Sequence, residues 1–138
     1  MTADSLRLTA ELSTADRLRE GELGDAAIRI RNTAAEPVTC EVWDLETLLL
    51  HPTSRDVAGR HLGFRYLPRF EISLGPGESA EFHVDLAALD ARTLDDSLAQ
   101  QPLGPGTYLA VGRCRIKETV SGEGVELTTD ETVVQVVR

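Results

Sequence analysis

The sequence predicts an all-β protein, an immunoglobulin-like antiparallel β-sandwich of about seven or eight strands that forms one domain over residues 1–138. Apolar and polar residues alternate along most of the chain, which is the pattern of strands with one buried face. Turns rich in Gly and Pro recur about every ten residues, a spacing typical of sandwiches. Leu, Val, Ile and Phe supply 37 of the 138 residues, which is enough apolar material for a folded core.

Each alternating run predicts one strand. In Leu6–Leu12, for example, the even-numbered residues are apolar and share one face. The predicted strands cover residues 6–12, 26–31, 38–43, 70–74, 80–86, 108–116 and about 125–137. The last strand ends with apolar residues on both faces, which predicts either cover on both sides or an edge used by a partner.

Three remaining stretches do not show this alternation. Residues 13–22 are polar and predict a loop, and residues 51–69 predict a longer irregular segment. Asp85 is a candidate cap for one short helix over residues 86–100, in which every third or fourth residue is small or apolar.

The charge balance restricts the classes of partner. Fourteen basic and 23 acidic residues give a net charge of −9, which repels nucleic acid and anionic membrane surfaces. The segment Met1–Ser5 lacks the basic and apolar regions of a secretory signal. The two cysteines, Cys40 and Cys114, fall in strand-like runs and predict buried free thiols or one inter-strand disulfide. We therefore expect a cytoplasmic protein.

Three short motifs resemble a known family. They are Ile30-Arg31-Asn32-Thr33 with Glu36-Pro37-Val38, then Leu74-Gly75-Pro76-Gly77-Glu78-Ser79, then Gly104-Pro105-Gly106-Thr107-Tyr108. Their order resembles bacterial immunoglobulin-like domains of the intracellular proteinase inhibitor (BsuPI) type, and is also similar to the amino-terminal pro-domains of deuterolysin-like metalloproteases. The resemblance implies a β-sandwich and an inhibitor-like role. Tyr108 resembles the tyrosine whose hydroxyl ties a sandwich corner.

No catalytic set is visible, and we predict that the chain is not an enzyme. There is no G-x-S-x-G elbow and no phosphate-cradling glycine loop before a helix. His51, His61 and His83 are scattered, without the close ligand pairs of zinc sites. We accordingly predict no catalytic residues, no metal site and no cofactor.

The segment of residues 51–69 is the candidate binding site. Its four Arg and one Asp give it a charge of +3, whereas the rest of the chain, with 10 basic and 22 acidic groups, carries −12. Arg and Tyr are enriched at interface hot spots. The candidate partner-binding residues are Arg55, Arg60, His61, Phe64, Arg65, Tyr66 and Arg69. Alternatively, the segment packs on its own acidic body and partly covers Trp43, which lies on the outward phase of its strand.

These observations predict a protein–protein interaction module that acts as an accessory, inhibitor-like or assembly subunit. It would bind another protein, or a second copy of itself, through the 51–69 segment or through its sheet edges. The alternative is a sandwich that binds a small anion or a metal through His51, His61 and nearby Arg.

Overall fold

The structure of the protein, a computed structural model, describes residues 8–62, 69–88, 103–119 and 124–138, with the backbone alone for residues 60–62. These parts of the chain contain ten strands and no helix, which confirms the all-β prediction for them. None of the described elements could therefore cross a membrane as an apolar helix. The strands are β1 (Leu8–Thr14), β2 (Arg17–Arg19), β3 (Leu23–Asn32), β4 (Val38–Leu50), β5 (Val57–Leu62), β6 (Phe70–Leu74), β7 (Ser79–Ala87), β8 (Gly106–Glu118), β9 (Gly124–Thr128) and β10 (Thr132–Val137).

The strands form two sheets. The smaller sheet has the antiparallel order β1-β3-β7. The larger sheet has the order β2-β10-β8-β4-β5, with β6 also on β4 and β9 also on β8. All pairs in it are antiparallel except β2 with β10, which is parallel.

One apolar core lies between the two sheets, because alternate residues of each strand point inward. Ile28 and Ile30 of β3 and Val42 of β4 are completely buried in it. The sheets approach closely at Gly112 of β8, where an added Cβ would lie 2.9 Å from Cγ1 of Ile28. A side chain at position 112 would therefore require the Ile28 side chain to shift.

Both cysteines belong to this core and are not bridged. Burial raises the pKa of Cys40 to about 11 and that of Cys114 to about 12, because the thiolate loses its hydration. Of the two alternatives that the sequence left open, the structure therefore has the buried free thiols and not the inter-strand disulfide.

Two of the three family-like motifs meet at one corner of the fold. The buried side chain of Asn32 donates to the carbonyl oxygens of Glu36 (2.8 Å) and Leu74 (3.0 Å), and its Oδ1 accepts from the Ala34 amide (2.8 Å). Its backbone joins the Gly75–Glu78 turn, since the amide of Gly77 donates to the Asn32 carbonyl. Gly77 has a φ of 77°, a conformation that favours glycine. Asn32 therefore ties two turns that lie about 40 residues apart in sequence.

The third motif forms the predicted tyrosine corner. The Tyr108 hydroxyl donates to the carbonyl oxygen of Gly104 at 2.7 Å, and the ring is buried. The motifs quoted for the family resemblance thus have structural roles at turns and corners.

Several predicted boundaries are wrong. Residues 17–19, expected in a loop, form β2 because they pair with β10. Residues 57–62, expected to be irregular, form β5 because they complete the hydrogen bonds of β4. Leu86 and Ala87 continue β7, so Asp85 lies within a strand and does not cap a helix there. The remainder of the predicted helix, residues 89–100, lies outside the described residues.

Candidate functional site

The structure places the predicted binding segment along one side of β4. After the loop of residues 51–56, β5 pairs with the second half of β4, up to Leu62 opposite Glu46. The chain returns as β6, where Phe70 lies opposite Val42. Between these two anchor points β4 is itself irregular, since its register with β8 shifts between Trp43 and Glu46. The two described ends of the segment are therefore fixed on either side of this irregularity.

Arg55 lies in the loop between β4 and β5, where its backbone and its side chain both contact other residues of this chain. Its backbone has a φ of 66°, and its amide donates to the His51 carbonyl at 2.9 Å. Its guanidinium forms an exposed ion pair with Glu131, just before β10. Solvent-exposed ion pairs contribute little to stability and exchange readily with other partners.

Arg69, at the other end of the segment, lies over Trp43, which agrees with the alternative that the segment packs on the protein's own body. Its guanidinium carbon lies 4.1 Å from the centre of the indole ring, a cation–π contact, and its Nη1 lies 3.1 Å from Oε2 of Glu41. At Gly124 an added Cβ would lie 3.3 Å from Cη2 of Trp43. Trp43 is thus held between Arg69 and β9.

The other predicted binding residues are described less fully. The backbone of Arg60 and His61 lies in β5, opposite Leu48 and Thr47. Phe64, Arg65 and Tyr66 lie outside the described residues. The prediction that these residues bind a partner remains a prediction.

The structure also reveals an apolar row that the sequence analysis missed. Four residues on four neighbouring strands lie directly opposite one another, namely Val57, Leu50, Leu109 and Val133. Their chain neighbours Ala58, Leu49, Ala110 and Val134 belong to the core, so the row faces outward. Val57 is 46% exposed and Val133 is 55% exposed.

A second apolar pair extends this row along the same face. Leu48 of β4 lies opposite Val111 of β8, and both are only 5% exposed although they do not belong to the core cluster. We call these six residues (Leu48, Leu50, Val57, Leu109, Val111 and Val133) the outer apolar patch. Val57 belongs to the 51–69 segment, so the patch adjoins the predicted binding segment.

Elsewhere on this outer face, several charged residues lie next to residues of opposite charge. Arg113 of β8 pairs with the buried carboxylate of Glu46, and Nε of Arg115 lies 3.9 Å from Oδ2 of Asp44. Lys117 lies opposite Glu41 in the strand register. These cations therefore lie beside carboxylates of their own sheet.

The second half of the last strand, β10, has neighbours on both sides, because β2 pairs with Gln135–Val137 and β8 pairs with Thr132–Val136. At Val133 the described pairing is with β8 alone. Val134 and Val136 are buried, whereas Val133 and Val137 remain 55% and 37% exposed. Packing among the described residues therefore does not account for the apolar side chains on the outer face of β10.

No protein-family model and no curated protein matches this chain. Among solved structures it is similar to the structural-genomics target SoR45, with a TM-score of 0.52 and 10% identity over 99% of this chain and 89% of that chain. This likeness extends to the fold alone.

Two other similar structures have TM-scores of 0.46 and 0.48. The first is the CARDB domain of the PF1109 protein from Pyrococcus furiosus in complex with di-metal ions (15% identity, 94% of this chain and 87% of that chain). The second is the putative ApaA protein from Bordetella pertussis (18% identity, 95% and 94%).

Proposed function

We propose that this chain is a non-enzymatic, immunoglobulin-like β-sandwich that binds another protein through the outer apolar patch and the adjoining 51–69 segment. The outer apolar patch is the observation that carries the proposal. It joins four strands in one row, and its two end residues are about half exposed. Leu48 and Val111 are each 5% exposed, so the exposed area of the patch lies at Val57 and Val133. We propose that a partner packs its apolar side chains on these two exposed ends.

The surroundings of the patch resemble the anatomy of an interface. An apolar centre is bordered by charged groups, as in interfaces with an apolar core and a polar rim. Arg55 and Glu131 lie just before Val57 and Val133 in sequence and form an exposed pair that a partner could engage. We propose that Arg55 belongs to the rim, together with the remaining predicted partner-binding residues of the segment.

The two cysteines have the properties of core residues and not of nucleophiles. Both thiols are buried and their pKa values are raised, whereas a nucleophilic cysteine requires an accessible thiolate. The family-like motifs form turns and corners, so they support the immunoglobulin-like part of the proposal. An inhibitor-like role would be one form of the proposed binding function.

The proposal can be tested by site-specific photo-crosslinking in cells of the source organism. A photoreactive phenylalanine derivative would replace Val133, and in a control chain it would replace Leu23. Leu23 is a suitable control because it is 53% exposed and lies in the other sheet. We expect discrete covalent adducts with a protein from position 133 and none of the same adducts from position 23.

A second pair of variants tests whether the contact is apolar. Val133→Glu should remove the adducts formed from a probe at Val57, while Leu23→Glu should leave them unchanged. Sedimentation velocity then shows whether the adduct partner is another protein or a second copy of this chain. The absence of adducts at both patch positions, or equal adducts at position 23, would contradict the proposal.

A further inference from the structure

The outer face of the smaller sheet carries its charges in rows across the strands. In one row, Arg29 of β3 lies opposite both Glu11 of β1 and Glu81 of β7. Its Nη2 lies 3.1 Å from Oε2 of Glu81. This row is electrostatically compensated, since a cation lies between two carboxylates.

Four residues along β3, a second row brings two carboxylates together with an imidazole. Asp25 of β3 lies directly opposite Asp85 of β7. His83 lies two residues before Asp85 and therefore on the same face of β7. Its Nε2 lies 3.7 Å from Oδ1 of Asp25 and 3.6 Å from Oδ1 of Asp85.

We propose that Asp25, His83 and Asp85 bind a divalent transition-metal ion on the outer face of the smaller sheet. One donor atom from each residue lies within 4.8 Å of the other two, and within the described residues this is the one group of three such side chains. An imidazole nitrogen with two carboxylate oxygens is a donor set that zinc accepts, with water completing the coordination.

The donor set indicates which ions should bind. The imidazole nitrogen favours zinc, cobalt or nickel over calcium and magnesium, which prefer oxygen ligands throughout. Two adjacent strands paired from Leu23 to Arg31 hold the three residues, so their backbone positions are fixed by the sheet. Donor atoms 3.6–3.7 Å apart are close to the separation of about 3.4 Å between two ligands that each lie about 2.1 Å from one tetrahedral ion, so small side-chain rotations are enough. This site lies on the opposite sheet from the outer apolar patch and does not depend on the proposed function.

The test is a calorimetric titration of the untagged chain with zinc, repeated with cobalt so that binding can also be followed by visible absorption. We expect one ion per chain, and little or no binding of magnesium. His83→Ala and Asp25→Asn should each weaken the affinity for zinc by about tenfold or more. Because both side chains are well exposed, the variants should keep the fold, which circular dichroism would verify.

His51→Ala is the matched control, since His51 is also exposed but packs its ring beside Tyr108 at 5.8 Å. It should leave zinc affinity unchanged. Absence of saturable binding at millimolar zinc, or unchanged binding by the His83→Ala variant, would overturn the proposal. A loss of binding in the His51→Ala variant alone would do so as well, and would favour a site built from His51.

Discussion

Replacing Asn32 with alanine should destabilise the protein more than any surface substitution. Asn32 is completely buried, and its amide group makes three hydrogen bonds of 2.8–3.0 Å to the backbones of Ala34, Glu36 and Leu74. A net hydrogen bond contributes about 1 kcal/mol, so the three together contribute about 3 kcal/mol. Because Ala cannot replace these contacts, we expect the free energy of unfolding to fall by about that amount.

The measurement is urea denaturation followed by circular dichroism. With an unfolding entropy of roughly 2 cal/mol/K per residue, the same change lowers the Tm by about 10 °C. Asn32→Asp should be at least as damaging, since it puts an oxygen in place of the Nδ2 donor that faces two carbonyl oxygens.

Thr107→Ala is the control, because it removes only an exposed hydrogen bond to Gln135, and it should change stability by less than about 0.5 kcal/mol. The reasoning would be refuted if Asn32→Ala lost less than about 1 kcal/mol, since the two turns would then hold together without its amide.

Three further predictions concern the core. Gly112→Ala should cost about 1–3 kcal/mol in urea denaturation, because the new Cβ would lie 2.9 Å from Ile28; a neutral effect would show that the Ile28 side chain can shift without strain. The thiols of Cys40 and Cys114 should resist a disulfide reagent at pH 8 until the protein unfolds, and rapid labelling of the native chain would contradict their burial. Their folded pKa values of about 11 and about 12 exceed the ordinary pKa of a cysteine thiol, 9.0, so the unfolded chain loses these protons first. Stability should therefore be independent of these thiols below pH 9 and fall between pH 9 and about 12, which alkaline unfolding of a double Cys→Ala variant would check.

The alternating pattern predicted much of the fold because burial on one face is a local property of each strand. Ile28 and Ile30 fall on the inward phase of β3, and Tyr108 forms its corner with a carbonyl only four residues away. Such features depend on residues that are close in sequence, so one sequence contains the signal.

The elements that the sequence analysis missed depend on distant partners. The three residues of β2 are too few to reveal a period in the sequence, and they become a strand because β10 lies beside them. Val57 begins β5 because β4 offers it a hydrogen-bonded neighbour, although the composition of residues 51–69 indicates an irregular segment.

The sequence by itself determined the all-β class, the inward phases of the long strands, the tyrosine corner and the acidic character. Only the tertiary structure decided which residues share a surface. Register aligned Val57 with Val133 across two intervening strands, and it placed Asp25 directly opposite Asp85 beside His83. Alternation shows which face of a strand is buried, but register depends on how strands far apart in sequence align, and a slip of one residue would turn every side chain to the other face.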